Sequence, residues 1–262
     1  MNIIVCIKQV PAGQTVPVDP VTGALKREGV GGVINPEDLC ALEEALVLRE
    51  KHNGDVTTLS MGPPQAEEAL REALAMGVDR AFLLCDKIFA GSDTLVTSFV
   101  LSQAVRKLGS FDLILCGKQT SDGNTAQVGP ELAERLGLPQ VTSVQKMKVF
   151  NGKLEAERAL ESGSQWVEAR LPTLATVTRR INTPRQASIE SILVACREKE
   201  VITWNADDLG IDTSSKSLLT SPTQMAAAWV PAPRTREGEI LVGPTRQAVH
   251  TLLERLKQRH VI

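Results

Sequence analysis

The chain has 262 residues, of which 42% are hydrophobic and only 3% aromatic, and its 29 basic and 31 acidic residues give a formal net charge of −2. This length suffices for one large domain, or for one domain with an appendage. The balanced charge and the scarcity of aromatic rings argue against nucleic acid as a partner, because phosphate backbones attract basic surfaces and single strands stack on aromatic side chains.

Apolar runs in the sequence are too short to cross a membrane. The longest, such as Ile3 to Ile7, have about five residues, whereas a spanning helix needs about 20. The N-terminus has neither the basic leader nor the apolar core of a signal peptide, so we expect a cytoplasmic protein. The cysteines form no C-x-x-C motif, which predicts small core residues rather than a redox or metal site, at Cys6, Cys40, Cys85, Cys116 and Cys196.

Short β-rich runs alternate with amphipathic helices along the first 140 residues, and this alternation predicts a doubly wound parallel sheet of five strands. The runs are continuously apolar, as expected of strands buried on both faces. The predicted strands are Ile3 to Ile7, Asp55 to Met61, Arg80 to Cys85, Asp112 to Gly117 and Gln140 to Ser143.

The first two crossover helices have clear start and stop signals. Asn35-Pro36 provides an N-cap and a first helical residue with a suitable backbone angle. Pro63-Pro64 opens the second helix, and Gly77 ends it.

The third and fourth crossover helices are also marked by their ends. Ser92 or Asp93 can cap the third helix. Asn124 with Gln127 three residues later forms a variant capping box for the fourth, which Gly137 ends. Four crossovers therefore connect the five strands.

The pattern becomes antiparallel after the sheet. Asn151-Gly152 between two alternating segments is a strong hairpin signal, and we expect the ribbon to continue through Trp166 to Arg170 and Leu174 to Thr178. From Trp204 to Glu239 the composition is polar with scattered apolar residues, which predicts an arm that lies on another surface.

A last helix starts at Gly243-Pro244, and one of its faces carries Val249, Leu252, Leu253 and Leu256. We expect this helix to dock on a partner or back on the domain. The predicted division is a nucleotide-binding α/β domain with its ribbon over residues 1–190, followed by the arm and helix over 191–262.

Loops at the carboxyl ends of parallel strands are where such sheets bind ligands. Gly117 to Gln127 is a small, polar, glycine-bearing loop before a helix N-terminus, which suits an anion, although a capped helix after a polar loop has the same pattern. Gly91 to Thr94, with Thr97 one turn later, is a second helix start. Two such starts could hold a diphosphate, and ordinary N-capping is the simpler interpretation of the second.

Two further loops offer main-chain groups that suit an adenine ring. Met61 to Pro64 ends the second strand, and Cys6 to Gln9 leaves the first. Simple turn chemistry explains either loop equally well.

Motifs of several catalytic and nucleotide-binding classes are missing. Gly117-Lys118 is followed by Gln119, so there is no Walker phosphate loop, and Gly29 to Gly32 lacks the third glycine of the dinucleotide fingerprint. There is no H-E-x-x-H, no G-x-S-x-G and no Cys/His cluster. The residues indicate a nucleotide binder without catalytic side chains of its own.

Several motifs together resemble the beta subunit of an electron-transfer flavoprotein over the whole chain. They are Gly117-Lys118-Gln119-x-x-Asp122 leading into Gln127, the Asn35-Pro36 pair, the Gly62-Pro63 turn, and Ala156-x-Arg158 followed by Leu171-Pro172. The family's signature across the hairpin is met at Ala156, Arg158, Glu161, Gly163, Gln165, Val167, Pro172, Leu174, Ala175 and Thr176, and Ser162 departs from it.

This resemblance implies a heterodimer with an alpha subunit that carries FAD. The beta subunit then holds either a structural AMP or, in the bifurcating form, a second FAD. That second FAD takes a hydride from NADH and sends its two electrons separately to ferredoxin or flavodoxin and to the alpha-subunit FAD, which serves an acyl-CoA-type dehydrogenase.

Three segments resemble the bifurcating branch: Gly123 to Pro130, Asp93 to Ser98, and Val18-Asp19-Pro20-x-Thr22-Gly23. Asn124 stands where that branch usually has Asp, and Thr120-Ser121 replaces an apolar pair. The alternatives are an AMP-holding subunit of a simple electron carrier and an unrelated adenine-nucleotide-binding module, whose Ser-Gly-Gly-x-Asp-Ser motif is missing here.

The resemblance also predicts site residues. Around adenine and ribose we expect Cys6, Asn35, Pro36, Glu37, Asp38, Met61 and Gly62. Around the phosphates we expect Gly117, Lys118, Gln119, Thr120, Ser121, Asp122, Gly123, Asn124, Thr125, Ala126, Gln127 and Val128, with Asp93, Thr94 and Thr97 at the second phosphate of an FAD. Ile189 resembles the family's apolar anchor for dehydrogenases, and packing within the subunit is the equally weighted alternative.

Overall fold

The computed structural model describes residues 1–12, 31–212, 219–223, 238 and 240–262. The chain forms two compact units, Met1–Ala227 and Ala228–Ile262. The strands are β1 (Ile3–Cys6), β2 (Gln9–Pro11), β3 (Gly32–Ile34), β4 (Val56–Met61), β5 (Arg80–Leu84), β6 (Leu113–Gly117), β7 (Gln140–Phe150), β8 (Lys153–Leu160), β9 (Gly163–Arg170), β10 (Thr173–Val177) and β11 (Val201–Trp204). The helices are α1 (Pro36–His52), α2 (Glu67–Met76), α3 (Thr94–Leu108), α4 (Val128–Leu136), α5 (Ile189–Arg197) and α6 (Thr245–Gln258).

A mostly parallel sheet forms the centre of the first unit. Within the described residues it has nine strands in the order β11-β5-β4-β1-β6-β10-β7-β8-β9, and all strands from β11 to β7 run parallel. The doubly wound α/β prediction is confirmed, and the sheet is larger than the five strands expected. A separate antiparallel pair, β2 and β3, lies before α1.

The segment Leu174 to Thr178 does not continue the antiparallel ribbon, so that prediction was wrong. As β10, it lies between β6 and β7 and pairs with both in parallel. All five residues of β10 are buried, which is the pattern of a central strand covered by helices on both faces. The chain therefore returns from the hairpin into the middle of the sheet, and β11 extends the opposite edge.

Helices cover both faces of the sheet, and the alternation of side chains along β1 shows the two layers. Ile3 and Val5 face an apolar layer shared with α1, α2 and α5. Ile4 and Cys6 face the other layer, which α3 and α4 cover. This alternation is the period-two pattern of a strand buried on both sides.

Several predicted helix ends are confirmed, but the start of α4 was wrong. Asn35 precedes α1 as its N-cap residue, but its side chain makes no capping hydrogen bond. Asp93 caps α3 by accepting a hydrogen bond from the Val96 N–H, and α2 and α4 end at left-handed Gly77 and Gly137. Asn124 is not a cap, because α4 begins four residues later. Asn124 instead sits in a turn with a φ of 50°, and its N–H donates to the Thr120 carbonyl.

The Asn151-Gly152 hairpin is confirmed. Both residues have positive φ, 50° and 71°, as a tight two-residue hairpin turn requires. Strands β7, β8 and β9 form the antiparallel ribbon, which includes the predicted segment Trp166 to Arg170. Leu154 is buried, whereas the Trp166 side chain is 58% exposed, so the ribbon has one covered and one open face.

Three of the cysteines are buried as predicted, and Cys196 on α5 is exposed, contrary to prediction. Burial raises the pKa of Cys6 to about 12 and also raises that of Cys116, so both are neutral thiols. In the second unit, α6 carries its predicted apolar face with Val249, Leu252 and Leu253 half-exposed.

Some predictions fall outside the described residues, namely the Val18 to Gly23 motif and the parts of the arm at 213–218, 224–237 and 239. No helix in the described part of the chain combines the length and the apolar character that crossing a bilayer requires.

Candidate functional site

A cleft of about 1320 Å³ opens at the carboxyl ends of the parallel strands. Cys6 and Cys116, paired in register at the ends of β1 and β6, both line it. The chain leaves β1 toward β4 on one side and returns to β6 on the other, so this is the point where the strand order reverses. Open α/β sheets bind ligands at such a point.

Most of the residues predicted for the site line this one cleft, although they come from five separate parts of the sequence. Those in the lining are Cys6, Asp38, Met61, Gly62, Asp93, Thr94, Thr97, Gly117, Lys118, Gln119, Thr120, Gly123, Thr125, Ala126, Gln127 and Val128. Six predicted residues are not part of the lining: Asn35, Pro36, Glu37, Ser121, Asp122 and Asn124.

The first turn of α1 holds the loop after β6 in place. The Asn35 side chain donates to the Gln119 carbonyl and accepts from the Ser121 N–H, at 2.9 and 3.1 Å. Glu37 accepts from the Gln119 N–H at 2.8 Å, and Asp38 accepts from the Gly117 N–H at 2.9 Å. We call the side chains of Asn35, Glu37 and Asp38, at the start of α1, the loop clamp.

The loop clamp changes the predicted role of the loop. The N–H groups of Gly117, Gln119 and Ser121 already donate to protein side chains, and the N–H of Lys118 donates to the Val177 carbonyl. These amides are therefore committed to shaping the loop. In this arrangement the amides suited to an anion lie farther along the loop, toward α4.

Asp38 is a buried residue in the lining of the cleft. One oxygen accepts from the Gly117 N–H and the other from the Lys8 N–H, at 2.9 Å each. Burial raises the pKa of Asp38 to about 7, although hydrogen bonds from Gly117, Asn35 and Lys8 oppose that change. Asp38 therefore titrates near neutral pH and ties the end of β1 to the end of β6.

An ion pair holds the middle of the same loop. The Lys8 ammonium group contacts Asp122 at 2.7 Å. The Lys8 side chain is 40% exposed and lines the cleft, whereas the Asp122 side chain is 10% exposed. Lys8 thus places a positive charge beside the loop that was predicted to bind phosphates.

The N-terminus of α4 faces the cleft without a side-chain cap. Gln127, its N-cap residue, makes no capping hydrogen bond, and Val128 and Gly129 line the cleft. The first N–H groups of a helix have no intrahelical acceptor, and the helix dipole favours negative charge there. This end of the cleft is suited to an anion such as phosphate.

Gly129 lets α4 approach the sheet closely. A Cβ atom at position 129 would lie 2.6 Å from Thr176 Cγ2 on β10 and 3.1 Å from Cys116 Sγ on β6. Both distances are shorter than a normal packing contact, so the close approach of the helix start to the strands depends on the missing side chain.

The N-terminus of α3 lies in the same cleft but differs from that of α4, because Asp93 caps it. The simpler interpretation of this segment in the sequence, an ordinary helix N-cap, is therefore confirmed. The next residue, Thr94, donates from its hydroxyl to Gln127 and Glu131, at 3.2 and 3.0 Å. Thr94 and Thr97 both line the cleft beside the uncapped helix.

Sequence reasoning missed the part of the lining that follows β5. Cys85, Asp86, Phe89 and Ala90 all line the cleft. The signal was available, because this stretch starts at the carboxyl end of a parallel strand. Thr223, from the arm, also lines the cleft, and no local pattern marks it. Among the described residues, no group of three His, Cys, Asp or Glu side chains is arranged to hold a metal ion.

These observations define a class: an α/β protein of Rossmann-like fold with a long cleft at the topological switch point, bordered by an uncapped helix start. The family model of the electron transfer flavoprotein domain matches residues 22–209. The chain belongs to this family, as a beta subunit. The resemblance found in the sequence is thereby confirmed at the level of family and subunit.

Relatives along the full length support this assignment. The chain is 51% identical to the electron transfer flavoprotein subunit beta of Thermoanaerobacterium thermosaccharolyticum over all of both chains. It is 42% identical to the caffeyl-CoA reductase-Etf complex subunit CarD of Acetobacterium woodii, again over all of both chains. It is 48% identical to protein FixA of Sinorhizobium fredii, over 90% of this chain and 86% of that relative.

Proposed function

We propose that this electron-transfer subunit holds an FAD in its cleft and works in electron bifurcation. The observation that carries the proposal is the extent of the cleft, which runs from Met61 and Cys6 past the start of α4 to Thr94 and Thr97 at the start of α3. Its volume of about 1320 Å³ exceeds the roughly 300–1,000 Å³ of pockets for drug-sized ligands. An AMP has no atoms beyond its single phosphate to fill the α3 end.

The residues present fit a diphosphate-bearing adenine nucleotide. The uncapped start of α4 would hold one phosphate. The Thr97 hydroxyl would donate to the other, and so would the Thr94 hydroxyl after it turns away from Gln127 and Glu131. Phe89 and Leu101 add apolar surface to the same cleft. When bound, FAD would supply the redox chemistry, accepting hydride from NADH and releasing the electrons one at a time.

The chain's own residues would position the cofactor. The loop clamp shapes the loop after β6, and the ion pair of Lys8 with Asp122 holds its middle. These groups act before any cofactor arrives, because their hydrogen bonds are internal to the protein. A preformed loop lowers the entropic cost of ordering it on binding.

Partners follow from the same proposal. We propose an alpha subunit that carries its own FAD, a ferredoxin or flavodoxin as the low-potential acceptor, and an acyl-CoA-type dehydrogenase. The name of the Acetobacterium relative joins an Etf to a caffeyl-CoA reductase, which supports the last of these. Ile189 is 80% exposed at the start of α5, and this exposure supports its role as an apolar anchor rather than a core residue.

A structural AMP is the second candidate, and one observation favours it. The Asp93 carboxylate occupies the start of α3, where a second phosphate would meet like charge. An AMP bound at α4 alone avoids that contact. The third alternative, an unrelated nucleotide-binding module, is excluded by the family assignment.

The test is a cofactor count on the heterodimer co-expressed with its alpha subunit. Cofactors released by acid are quantified by chromatography, and we expect two FAD and no AMP for each heterodimer. One FAD and one AMP would contradict the proposal. The double variant Thr94→Val and Thr97→Val should lose about one FAD, whereas Thr203→Val, on exposed β11 outside the cleft lining, should lose none.

A further inference from the structure

Part of the C-terminal arm, Leu219 to Thr223, belongs to the first unit and reaches the α3 end of the cleft. Leu219 packs against the apolar layer that contains α3 and α4. Thr223 lines the cleft together with Thr94 and Thr97. The sequence pattern predicted an arm that lies on another surface, but it did not indicate that the arm reaches the cleft.

Asp93 attaches the arm to α3. The Asp93 N–H donates to the Ser221 hydroxyl at 2.9 Å. In return, the Thr223 hydroxyl and N–H donate to Asp93 Oδ2, at 2.9 and 3.3 Å. Three hydrogen bonds thus join Asp93 to Ser221 and Thr223, which lie 128 and 130 positions away in the chain. Two of these bonds go to the ionised carboxylate of Asp93.

The same carboxylate serves two elements. Asp93 Oδ1 accepts from the Val96 N–H at 3.0 Å and caps α3, while Oδ2 receives the arm. Thr94, the next residue, donates to Gln127 and Glu131 of the α4 end of the cleft. Release of the arm therefore alters the hydrogen bonding of the residue that precedes Thr94. Hydrogen bonds to a charged group are stronger than those between neutral groups, so the Asp93 carboxylate holds the arm at a defined point.

We infer that Ser221 to Thr223 is a cofactor-binding segment, and that a dinucleotide with a diphosphate in the cleft and the docked arm stabilise each other. The inference rests on the proposed function, because a cofactor must extend to Thr94 and Thr97 to meet Thr223. Thermodynamic linkage requires reciprocity: the cofactor favours the docked arm by the same factor by which the docked arm favours the cofactor.

The experiment uses the full-length heterodimer loaded with FAD. Asp93→Asn keeps a good N-cap for α3 but removes the charged acceptor of the arm. We expect it to release FAD from the beta site about tenfold faster, because the weakened hydrogen bonds to the arm outweigh the relief of like-charge repulsion between Asp93 and the diphosphate. Thr223→Val should release FAD faster as well, and Thr223→Ser, which keeps the hydroxyl, should restore the slow rate.

Hydrogen exchange of the peptide that contains residues 219–223 is the second readout. In the parent it should slow when FAD is added, and in Asp93→Asn this response should disappear. Asp112→Asn, which removes the same charge before β6 at the amino-terminal edge of the sheet, should behave as the parent in both measurements.

Three results would overturn the inference. A parent that holds FAD, but whose arm exchanges at the same rate with and without it, contradicts the inference and leaves the proposed function standing. The same holds if both Asp93→Asn and Thr223→Val release FAD at the parent rate. A parent that holds AMP in place of the second FAD contradicts the proposed function and this inference together.

Discussion

The Asp38 carboxylate accepts a hydrogen bond of 2.9 Å from the backbone N–H of Gly117, a residue 79 positions away in the chain. The approach is close enough that a Cβ atom at position 117 would lie 2.8 Å from Glu37 Cβ. The first turn of α1 is thereby pressed against the end of β6, and the loop that borders the cleft starts from this contact.

Within the loop clamp, we expect Glu37 to support cofactor binding by fixing the conformation of the loop after β6. Glu37→Ala leaves the Gln119 N–H without its acceptor, so the loop loses part of its fixed conformation. We expect cofactor affinity to fall about tenfold, since a hydrogen bond to a charged group contributes roughly 1.5–3 kcal/mol. Titration calorimetry on the cofactor-free heterodimer measures the change.

Glu37→Gln is the matched variant, because its amide oxygen can still accept from Gln119. It should retain most of the affinity. Glu134→Ala, at an exposed position on α4, controls for the loss of a carboxylate. Equal affinities for Glu37→Ala and the parent would show that the clamp is irrelevant to binding.

The raised pKa of Asp38 should make the stability of the protein depend on pH. Its pKa in the folded protein is about 7, above the unfolded value of about 3.9. Between these values the folded state binds more protons, so the contribution of Asp38 to the free energy of unfolding is largest below pH 4 and falls as the pH rises through 7. The slope is at most about 1.4 kcal/mol per pH unit.

Urea unfolding of the parent and of Asp38→Asn, compared from pH 5 to pH 8, measures this contribution. The advantage of the parent over the variant should shrink steadily as the pH rises. A difference that is constant, or that grows toward pH 8, would show that Asp38 has an ordinary or lowered pKa.

Gly129→Ala tests the close approach of α4 to the sheet. The added methyl group would lie 2.6 Å from Thr176 Cγ2, and overpacking of this kind typically costs about 1–3 kcal/mol. We expect a lower free energy of unfolding and weaker cofactor binding, since the uncapped helix start is displaced.

The double variant Gly129→Ala with Thr176→Ser is its control. Serine lacks the Cγ2 atom but keeps the hydroxyl that accepts from the Ser143 N–H. Relief of the clash should restore much of the stability, a non-additive result expected only of residues in contact. Purely additive effects would place the cost of Gly129→Ala elsewhere.

Ile189→Asp tests the proposed anchor for a dehydrogenase. Because the Ile189 side chain is 80% exposed, the substitution should leave the melting temperature within about a degree, in line with other surface changes. Binding to an acyl-CoA-type dehydrogenase, measured by surface plasmon resonance, should fall at least tenfold. Leu160→Asp, at the end of β8 and 45% exposed, should bind as the parent does. If Ile189→Asp bound the dehydrogenase as tightly as the parent, Ile189 would not be the anchor.

Local signals in the sequence predicted their elements well. Asn151-Gly152 marked its hairpin and Gly137 the end of α4, because positive φ angles depend on the residue itself. The direction of β10 could not be predicted in this way. A strand of continuous apolar residues fits wherever both faces are covered, and its partners, β6 and β7, are chosen by long-range packing.

The same distinction between local signals and long-range packing applies to the candidate site. Residue types at short spacings were enough to predict an α/β Rossmann-like fold, the loops that border the cleft and, by resemblance, the flavoprotein family. Two features emerge only from the three-dimensional arrangement: Asn35, Glu37 and Asp38 accept hydrogen bonds from the amides of the loop, and Thr223 reaches the cleft. A backbone N–H donates to whichever acceptor the fold brings near, and for the amides of the loop these acceptors are distant in the chain.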